Sequence, residues 1–384
     1  MTLGILGGGQ LGWMLGVAAR RLGIDCVFLD PAEACTADLV GERIRADYDD
    51  PDALAELARR CDVITYEFEN VPATAAASLA RTVPVRPGWN SLETSQDRLV
   101  EKNFLIDHGV PVPPFRAVDD VASLRAAVTE IGTPAILKTR RGGYDGKGQF
   151  VLRDPEAASD AIDAIEARPA ILEAMIDFDL EASVLVVRGV DGTTKAWTPI
   201  RNHHAEGILR RSECPAPGVS PRAGSAMMDH AIRIAEALDH VGVLTVEFFV
   251  TGDEVLANEL APRVHNSGHL TIEFSETDQF ENHVRAVTGR DLGPTDARHG
   301  HGIMLNAIGD SPSPQALAEA RVATVDAMGV VAADGNPDDD AVYHGYRKTP
   351  RVARKVGHLT ITDDAIDPTR SDALASMVPG AVVD

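Results

Sequence analysis

The spacing of apolar and polar residues changes period several times along the chain, and each change marks an element. Leu3-Gly4-Ile5-Leu6 and Cys26-Val27-Phe28-Leu29-Asp30 read as short buried strands, with a helical run to Arg21 between them. Val63-Ile64-Thr65-Tyr66-Glu67 and the region of Val83-Pro84-Val85 continue the strand pattern around an alanine-rich helix. An α/β unit over residues 1–95 follows. A charged helix, Gln96-Asp97-Arg98-Leu99-Val100-Glu101-Lys102, and the connector Val110-Pro111-Val112-Pro113-Pro114 then mark a boundary. Beyond it come a helix near 120–131, a strand Pro134-Ala135-Ile136-Leu137-Lys138, and a strand from Ala170 to Ile176 that runs into a linker. Val243 to Val250 and Glu254 to Glu259 read as a hairpin joined by Thr251-Gly252-Asp253. A last region starts near Gly289, with strand patterns at Gly302–Asn306 and Arg354–Leu359 and an acidic, mobile stretch at 333–340. The units expected are therefore 1–95, 96–288 with a smaller subdomain at about 112–175, and 289–384.

Both hairpin strands carry a glutamate. A three-residue loop sets Glu247 opposite Ala257, with Glu259 one diagonal step along on the same face. Two carboxylates aimed at one space repel unless a proton or cation joins them, and carboxylates that gather phosphate oxygens around a hard ion are the usual Mg²⁺ arrangement. A solvated sheet face is the competing reading. The segment Glu259-Leu260-Ala261-Pro262-Arg263-Val264-His265-Asn266-Ser267-Gly268-His269 argues against it, because it crowds a carboxylate, a guanidinium, two imidazoles and an amide together.

Two glycine loops offer anion sites. Gly7-Gly8-Gly9-Gln10-Leu11-Gly12 follows the first strand and opens a helix, the dinucleotide pattern, with Asp30 placed as its acidic ribose ligand. That geometry serves any anion that meets backbone N–H groups at a helix N-terminus. The second loop, Arg141-Gly142-Gly143-Tyr144-Asp145-Gly146-Lys147-Gly148-Gln149, is no Walker A motif, since Gly148 stands where a hydroxyl residue is required. Its glycines, Lys147, and Lys138 on the preceding strand still make a phosphate cover.

Composition narrows the field. The chain has 384 residues and a formal charge of −22, which repels nucleic acid and anionic membranes. No apolar run of about 18 residues occurs, so neither a membrane span nor a signal peptide is expected, and a cytoplasmic protein is. Cys26, Cys35, Cys61 and Cys214 lack metal or disulfide spacing. Only six of the 36 basic residues are lysines, so each lysine is a candidate for a specific role.

The strand lysine Lys138, the glycine flap, the Glu173-to-Ile176 hinge, the later Glu181 and the Glu247/Glu259 pair together resemble the ATP-grasp carboxylate-amine ligases. More narrowly, Gly8–Gly12, Gln96-Asp97-Arg98, Gly142–Gly148, Asn202-His203-His204 before Gly207-Ile208-Leu209, Glu259–His269 and Arg354-Lys355-Val356-Gly357-His358 resemble the 5-(carboxyamino)imidazole ribonucleotide synthetases of purine biosynthesis. The resemblance implies an α/β ATP-grasp architecture: a Rossmann-like N-terminal domain, a central ATP-grasp region of two subdomains and a small C-terminal domain. It implies an ATP-dependent carbon–nitrogen ligase, in which ATP phosphorylates bicarbonate and the amine of 5-aminoimidazole ribonucleotide takes up the carboxyl group.

The site residues follow from the same resemblance. Arg98, Lys138, Gly143, Tyr144, Asp145, Gly146, Lys147, Gly148, Gln149, Glu173, Ala174, Met175, Ile176, Glu181, His204, Asn258 and Glu259 are the expected ATP contacts. Glu247 and Glu259 are the expected Mg²⁺ ligands, and Arg263, His265 and Asn266 the residues around carboxyphosphate. Gly9, Gln10, Leu11, Glu67, Tyr144, Lys348 and Arg354 are the expected ribonucleotide contacts. A homodimer is implied, with small molecules as the only other partners. Trp13 stands where many relatives carry arginine, and Arg351-Val352-Ala353 lacks the usual Pro-Gly pair before Arg354. Formate-dependent glycinamide ribonucleotide transformylase is the nearest alternative, and an NAD-dependent dehydrogenase the alternative from another class.

Overall fold

The computed structural model describes residues 1–143, 148–326, 328, 340–364 and 368–381. Tyr144, Asp145, Gly146 and Lys147, and the acidic stretch at 333–339, lie outside the described residues.

Three sheets organise the described residues. The first is parallel, in the order Glu42–Ile44, Asp25–Leu29, Thr2–Leu6, Val63–Tyr66. Thr2–Leu6 and Val63–Tyr66 are buried almost throughout, as expected of a parallel sheet covered on both faces. The strand expected at Val83–Val85 contributes one bridge, Val85 to Ile64, and no ladder. Pro84 has no N–H to donate, so only its carbonyl is used, accepting from Ile64 N at 2.9 Å.

The second sheet is antiparallel, in the order Phe115–Val118, Ala170–Ala174, Ala135–Thr139, Gln149–Leu152. It carries its own small core of Leu124, Leu137, Leu152 and Leu172. The charged helix before it runs over Arg98–Asp107, two residues later than its pattern begins. Asp97 is its N-cap, accepting from Leu99 N at 3.0 Å, and also holds Arg140 at 2.8 Å.

The third sheet has ten strands. Its main path runs Glu254–Ala261, Gly242–Thr251, Leu180–Arg188, Ile200–Ala205, Ile208–Cys214, His301–Ile308, Lys355–Asp363, Ala341–Gly345, Ala323–Thr324. Strands from both sides of Gly289 thus share one sheet. The 17-residue helix Pro221–Ala237 packs on it through Ala223, Met227, Ala231 and Ile234. One continuous core, including Trp13, Leu15, Trp197, Val243, Phe280, Met304 and Tyr346, joins this sheet to the helix Gln10–Arg21 of the first unit.

The hairpin corrects one expectation. Its loop is two residues, Gly252-Asp253, because Thr251 pairs with Glu254. Phe248 pairs with Ala257, yet Glu247 pairs with Glu259, so Asn258 is an extra residue in a β-bulge. Glu247 is therefore not opposite Ala257. It faces Glu259 directly.

Candidate active site

The bulge brings the two carboxylates level, and the strands beside them add further charge. Glu247 is half-buried; burial, followed by the charge of Glu259, pushes its carboxyl up to about 7. His204 and Lys355 pull the other way and Glu181 adds to the push, so all five groups share one electrostatic neighbourhood. His204 donates or accepts at 2.7 Å with Glu181, across adjacent strands. Burial disfavours the imidazolium of His204, but Glu181 and Glu247 outweigh it and raise its pKa. Two carboxylates facing each other across the ladder are the donor set a hard divalent ion fits.

Past Glu259 the chain turns at Pro262, and the next residues come back over the pair. Arg263 Nε binds the carboxylate of Glu69, and Nη1 donates to Val264 O at 2.9 Å. Glu69 was not among the residues expected from sequence. His265 Nε2 lies 3.3 Å from Glu247 Oε1, and its Nδ1 lies 2.9 Å from Ser267 Oγ. Burial, then the charge of Arg263, lowers the His265 pKa well below the ordinary value, so the ring is neutral. Asn266 is buried, and neither Nδ2 nor Oδ1 has a partner among the described residues. A buried amide with neither atom paired, next in sequence to His265, is a group a ligand could satisfy.

The second sheet delivers another set of charges to the same hairpin. Lys138 Nζ donates to Glu173 Oε2 at 2.6 Å, and Lys102 lies 3.5 Å from Glu173 Oε1. Lys102 is 1% exposed and donates to Asn258 O at 2.6 Å, which ties this cluster to the bulge. Burial works against the charge of Glu173, but the two lysines hold its pKa below the usual range. Glu173 is thus an ion-pair anchor, while Ala174, Met175 and Ile176 continue from its strand with partly exposed side chains. Arg98 donates to Thr139 O at 2.9 Å and Gly143 O at 2.8 Å, fastening the start of the flap. The far end is fastened by Thr139 N donating to Gly148 O, and Gln149 pairs with Lys138 in the ladder.

The first glycine loop is already filled by the chain itself. Glu67 accepts from Gly9 N at 2.5 Å and from Gly12 N, and Asp30 accepts from Gly8 N at 2.8 Å. The helix N-terminus that a dinucleotide phosphate would need is occupied by two carboxylates, and Asp30 is turned inward with Tyr48 at 2.9 Å. This removes the physical basis of a dehydrogenase reading. Burial raises the Glu67 pKa, against the two backbone donors. Gln10 accepts from Lys348 Nζ, and Lys348, largely buried near Glu67, is pushed down to about 8. Arg354 donates to Thr349 O at 3.1 Å on the same C-terminal segment, while Leu11 packs on the core.

These clusters form a chain of charge rather than separate sites. Glu259 influences Glu101 and Lys102 at one end and Arg263 at the other; Arg263 in turn feels Glu67, which faces Lys348. His203 pairs with Glu213 at 3.1 Å, and Tyr66 is a core residue.

Comparison with known proteins agrees along the whole length. Residues 1–96 match the ribonucleotide synthetase preATP-grasp domain, residues 103–280 the ATP-grasp domain, and residues 302–372 the phosphoribosylaminoimidazole carboxylase C-terminal domain. The N5-carboxyaminoimidazole ribonucleotide synthase of Brucella melitensis is 46% identical over 364 residues, covering 94% of this chain and 95% of that protein. That of Bacillus subtilis is 41% identical, covering 84% and 86%. The crystal structure of the synthetase from Thermus thermophilus superposes with a TM-score of 0.89 at 42% identity, covering 98% of each chain. The Aspergillus clavatus enzyme in complex with ADP and 5-aminoimidazole ribonucleotide superposes with a TM-score of 0.85 at 29% identity, covering 98% of each chain.

Proposed function

The chain belongs to the N5-carboxyaminoimidazole ribonucleotide synthase family, and from that premise we propose how its residues divide the work. The reaction is the ATP-dependent carboxylation of 5-aminoimidazole ribonucleotide in purine biosynthesis. The observation that supports the residue assignment is the chain of charge through Glu247, Glu259, Arg263 and Lys348, which links the second sheet's lysine cluster to the first glycine loop.

ATP lies at the Lys138 end. Lys138, Lys147 and Arg98 offset the triphosphate charge, the Gly142–Gly148 flap excludes water, backbone groups from Glu173 to Ile176 read the adenine edge, and Glu181 with His204 holds the ribose. Gly143, Tyr144, Asp145, Gly146, Gly148, Gln149 and Asn258 complete that pocket. Glu247 and Glu259 suit Mg²⁺, because they are hard oxygen donors that face each other across the ladder. When bound there, the ion neutralises phosphate charge.

Arg263 receives bicarbonate with a two-pronged guanidinium, and Glu69 fixes the angle of that fork. Bicarbonate oxygen attacks the γ-phosphorus, ADP leaves, and carboxyphosphate is held by Arg263, neutral His265 and the unsatisfied amide of Asn266. Gly9, Gln10, Leu11, Glu67 and Tyr144 place the aminoimidazole, and Lys348 and Arg354 hold its 5′-phosphate. The exocyclic amine attacks the carboxyl carbon and inorganic phosphate leaves. A cytoplasmic homodimer with units at 1–95, 96–288 and 289–384 is part of the same reading. The test is label transfer: carbon from bicarbonate must enter the ribonucleotide in proportion to ADP formed. Labelled bicarbonate left untouched while ADP accumulates would overturn the reading.

A further inference from the structure

The turn that carries His265 and Asn266 is held by a side chain to which the carboxylation gives no part. Gln279 is fully buried at the first position of the helix Gln279–Val287. Its Oε1 accepts from His265 N at 2.8 Å, and its Nε2 donates to His265 O at 2.7 Å. A backbone N–H only donates and a carbonyl only accepts, so the amide has one orientation. The second proton of Nε2 is directed to His269 Nδ1 at 3.2 Å, so that nitrogen is an acceptor and the neutral His269 ring carries its proton on Nε2.

The clamp is itself rigidly based. Asp278 caps the helix, its Oδ1 accepting from Phe280 N and Glu281 N at 2.8 Å each. Phe280, Val284 and Val287 bury the helix in the main core. Gln279 N donates to Thr271 Oγ1 at 3.0 Å, and that hydroxyl donates to Gly268 O at 2.6 Å, which ties the turn Asn266–Leu270 to the same point. A methyl group on Gly268 would run into the side chains of Leu185 and Gln279, so the turn is fitted closely onto the clamp. On the ring side, Ser267 N donates to His265 Nδ1 at 3.3 Å. Nδ1 is therefore an acceptor, and the neutral His265 ring carries its proton on Nε2, the atom 3.3 Å from Glu247 Oε1.

We propose that Gln279 is a positioning residue for the carboxylation, holding the His265 backbone so that Nε2–H donates to carboxyphosphate, which rests on the assignment of Arg263, His265 and Asn266 to that intermediate. Gln279 is buried behind the His265 backbone and acts only through it. Carboxyphosphate that is not gripped splits into carbon dioxide and phosphate, so ATP is cleaved without carboxyl transfer. A donor misplaced by about 1 Å costs up to roughly 100-fold in rate. Loosening the turn should therefore separate the two halves of the reaction, with ADP still formed while the amine goes uncarboxylated.

The test measures two products in one mixture of full-length protein, Mg²⁺, ATP, 5-aminoimidazole ribonucleotide and limiting labelled bicarbonate: ADP formed, and label moved to the ribonucleotide. Their ratio does not depend on how much of a preparation is folded, so a merely structural role would not move it. Wild type should form one ADP per label transferred. Gln279→Met is close in volume and removes the three side-chain hydrogen bonds. Its ratio should rise roughly 10-fold or more, with the KM for ATP within about twofold of wild type. Gln279→Glu keeps an acceptor for His265 N and loses the amide donors; its ratio should rise as well, a second reading should the Met variant not fold. A ratio of one in both variants, whatever their absolute rates, would overturn the positioning role and leave the carboxyphosphate reading intact. A wild-type protein that moves no label would overturn that reading, and the role of Gln279 with it.

Discussion

Glu247 and Glu259 stand directly opposite each other because their ladder bulges at Asn258. The bulge also turns the Asn258 carbonyl to Lys102, so the carboxylate pair and the buried lysine cluster are registered by one irregularity. Glu247→Gln and Glu259→Gln each remove one of the two carboxylates proposed to hold Mg²⁺, with almost no change in volume. Each should abolish ATP turnover while circular dichroism stays native. Near-normal turnover in either would remove that residue from the metal site.

The raised pKa of Glu247 has a signed consequence for stability. Its native carboxyl holds a proton up to about 7, against an ordinary value of 4.5, so the native state loses stability at this group as pH rises between those values. Glu247→Gln should therefore become progressively more stable than wild type across that interval, on the order of 1–3 kcal/mol by pH 8 without metal. Saturating Mg²⁺ and ADP should erase the difference. Denaturant melts at pH 5 and 8 decide it, and a difference independent of pH would contradict the assignment.

Much of this was legible from residue patterns, and the failures are instructive. The alternating strands, the glycine loops and the Glu259–His269 segment are local signals. Glu69 has none: its meaning comes from Arg263, 194 residues away. Lys102 reads as one charge on a polar helix, yet it is buried against Glu173 because the second sheet folds over it. The two-residue loop shifts the pairing by one residue, and the bulge at Asn258, which leaves no periodic trace, shifts it by one more, so Glu247 meets Glu259 and not Ala257. Glu67 was expected as a substrate contact, whereas its fold role, capping Gly9 and Gly12, appears only once the parallel strands are side by side.

The lysine cluster predicts a stability effect. Glu173→Ala leaves Lys102 and Lys138 facing each other without their shared anion. Breaking a buried pair of this kind costs about 3–5 kcal/mol. Calorimetry should show a large fall in melting temperature, whereas Glu166→Ala on the surface should show almost none. Equal melting temperatures for the two variants would refute the anchoring role.

Lys348 should act on the ribonucleotide and not on ATP. Losing a charge-assisted phosphate contact costs about 1.5–3 kcal/mol, so Lys348→Ala should raise the KM for the ribonucleotide by roughly 10- to 150-fold. Because burial pushes its pKa down to about 8, the charge is lost as pH rises through that value, and the wild-type KM should climb above it. The KM of Lys348→Ala should lack that rise. A larger effect on ATP would place this segment in the other pocket.

Arg263 is held by Glu69 through Nε and donates to Val264 O through Nη1, so Nη2 and the second N–H of Nη1 are the donors proposed to grip a carboxylate. Lysine retains charge without the fork. Arg263→Lys should bind ATP normally by calorimetry and lose most bicarbonate-dependent ADP formation, and Glu69→Gln should show a weaker form of the same defect. Wild-type carboxylation by Arg263→Lys would make the residue a structural ion-pair partner.

The most direct measurement is ADP release by the purified protein with Mg²⁺ and ATP, comparing two acceptor pairs under identical conditions. Strong stimulation by 5-aminoimidazole ribonucleotide with bicarbonate, and none by glycinamide ribonucleotide with formate, is the predicted result. Equal or greater stimulation by the glycinamide pair would contradict the account.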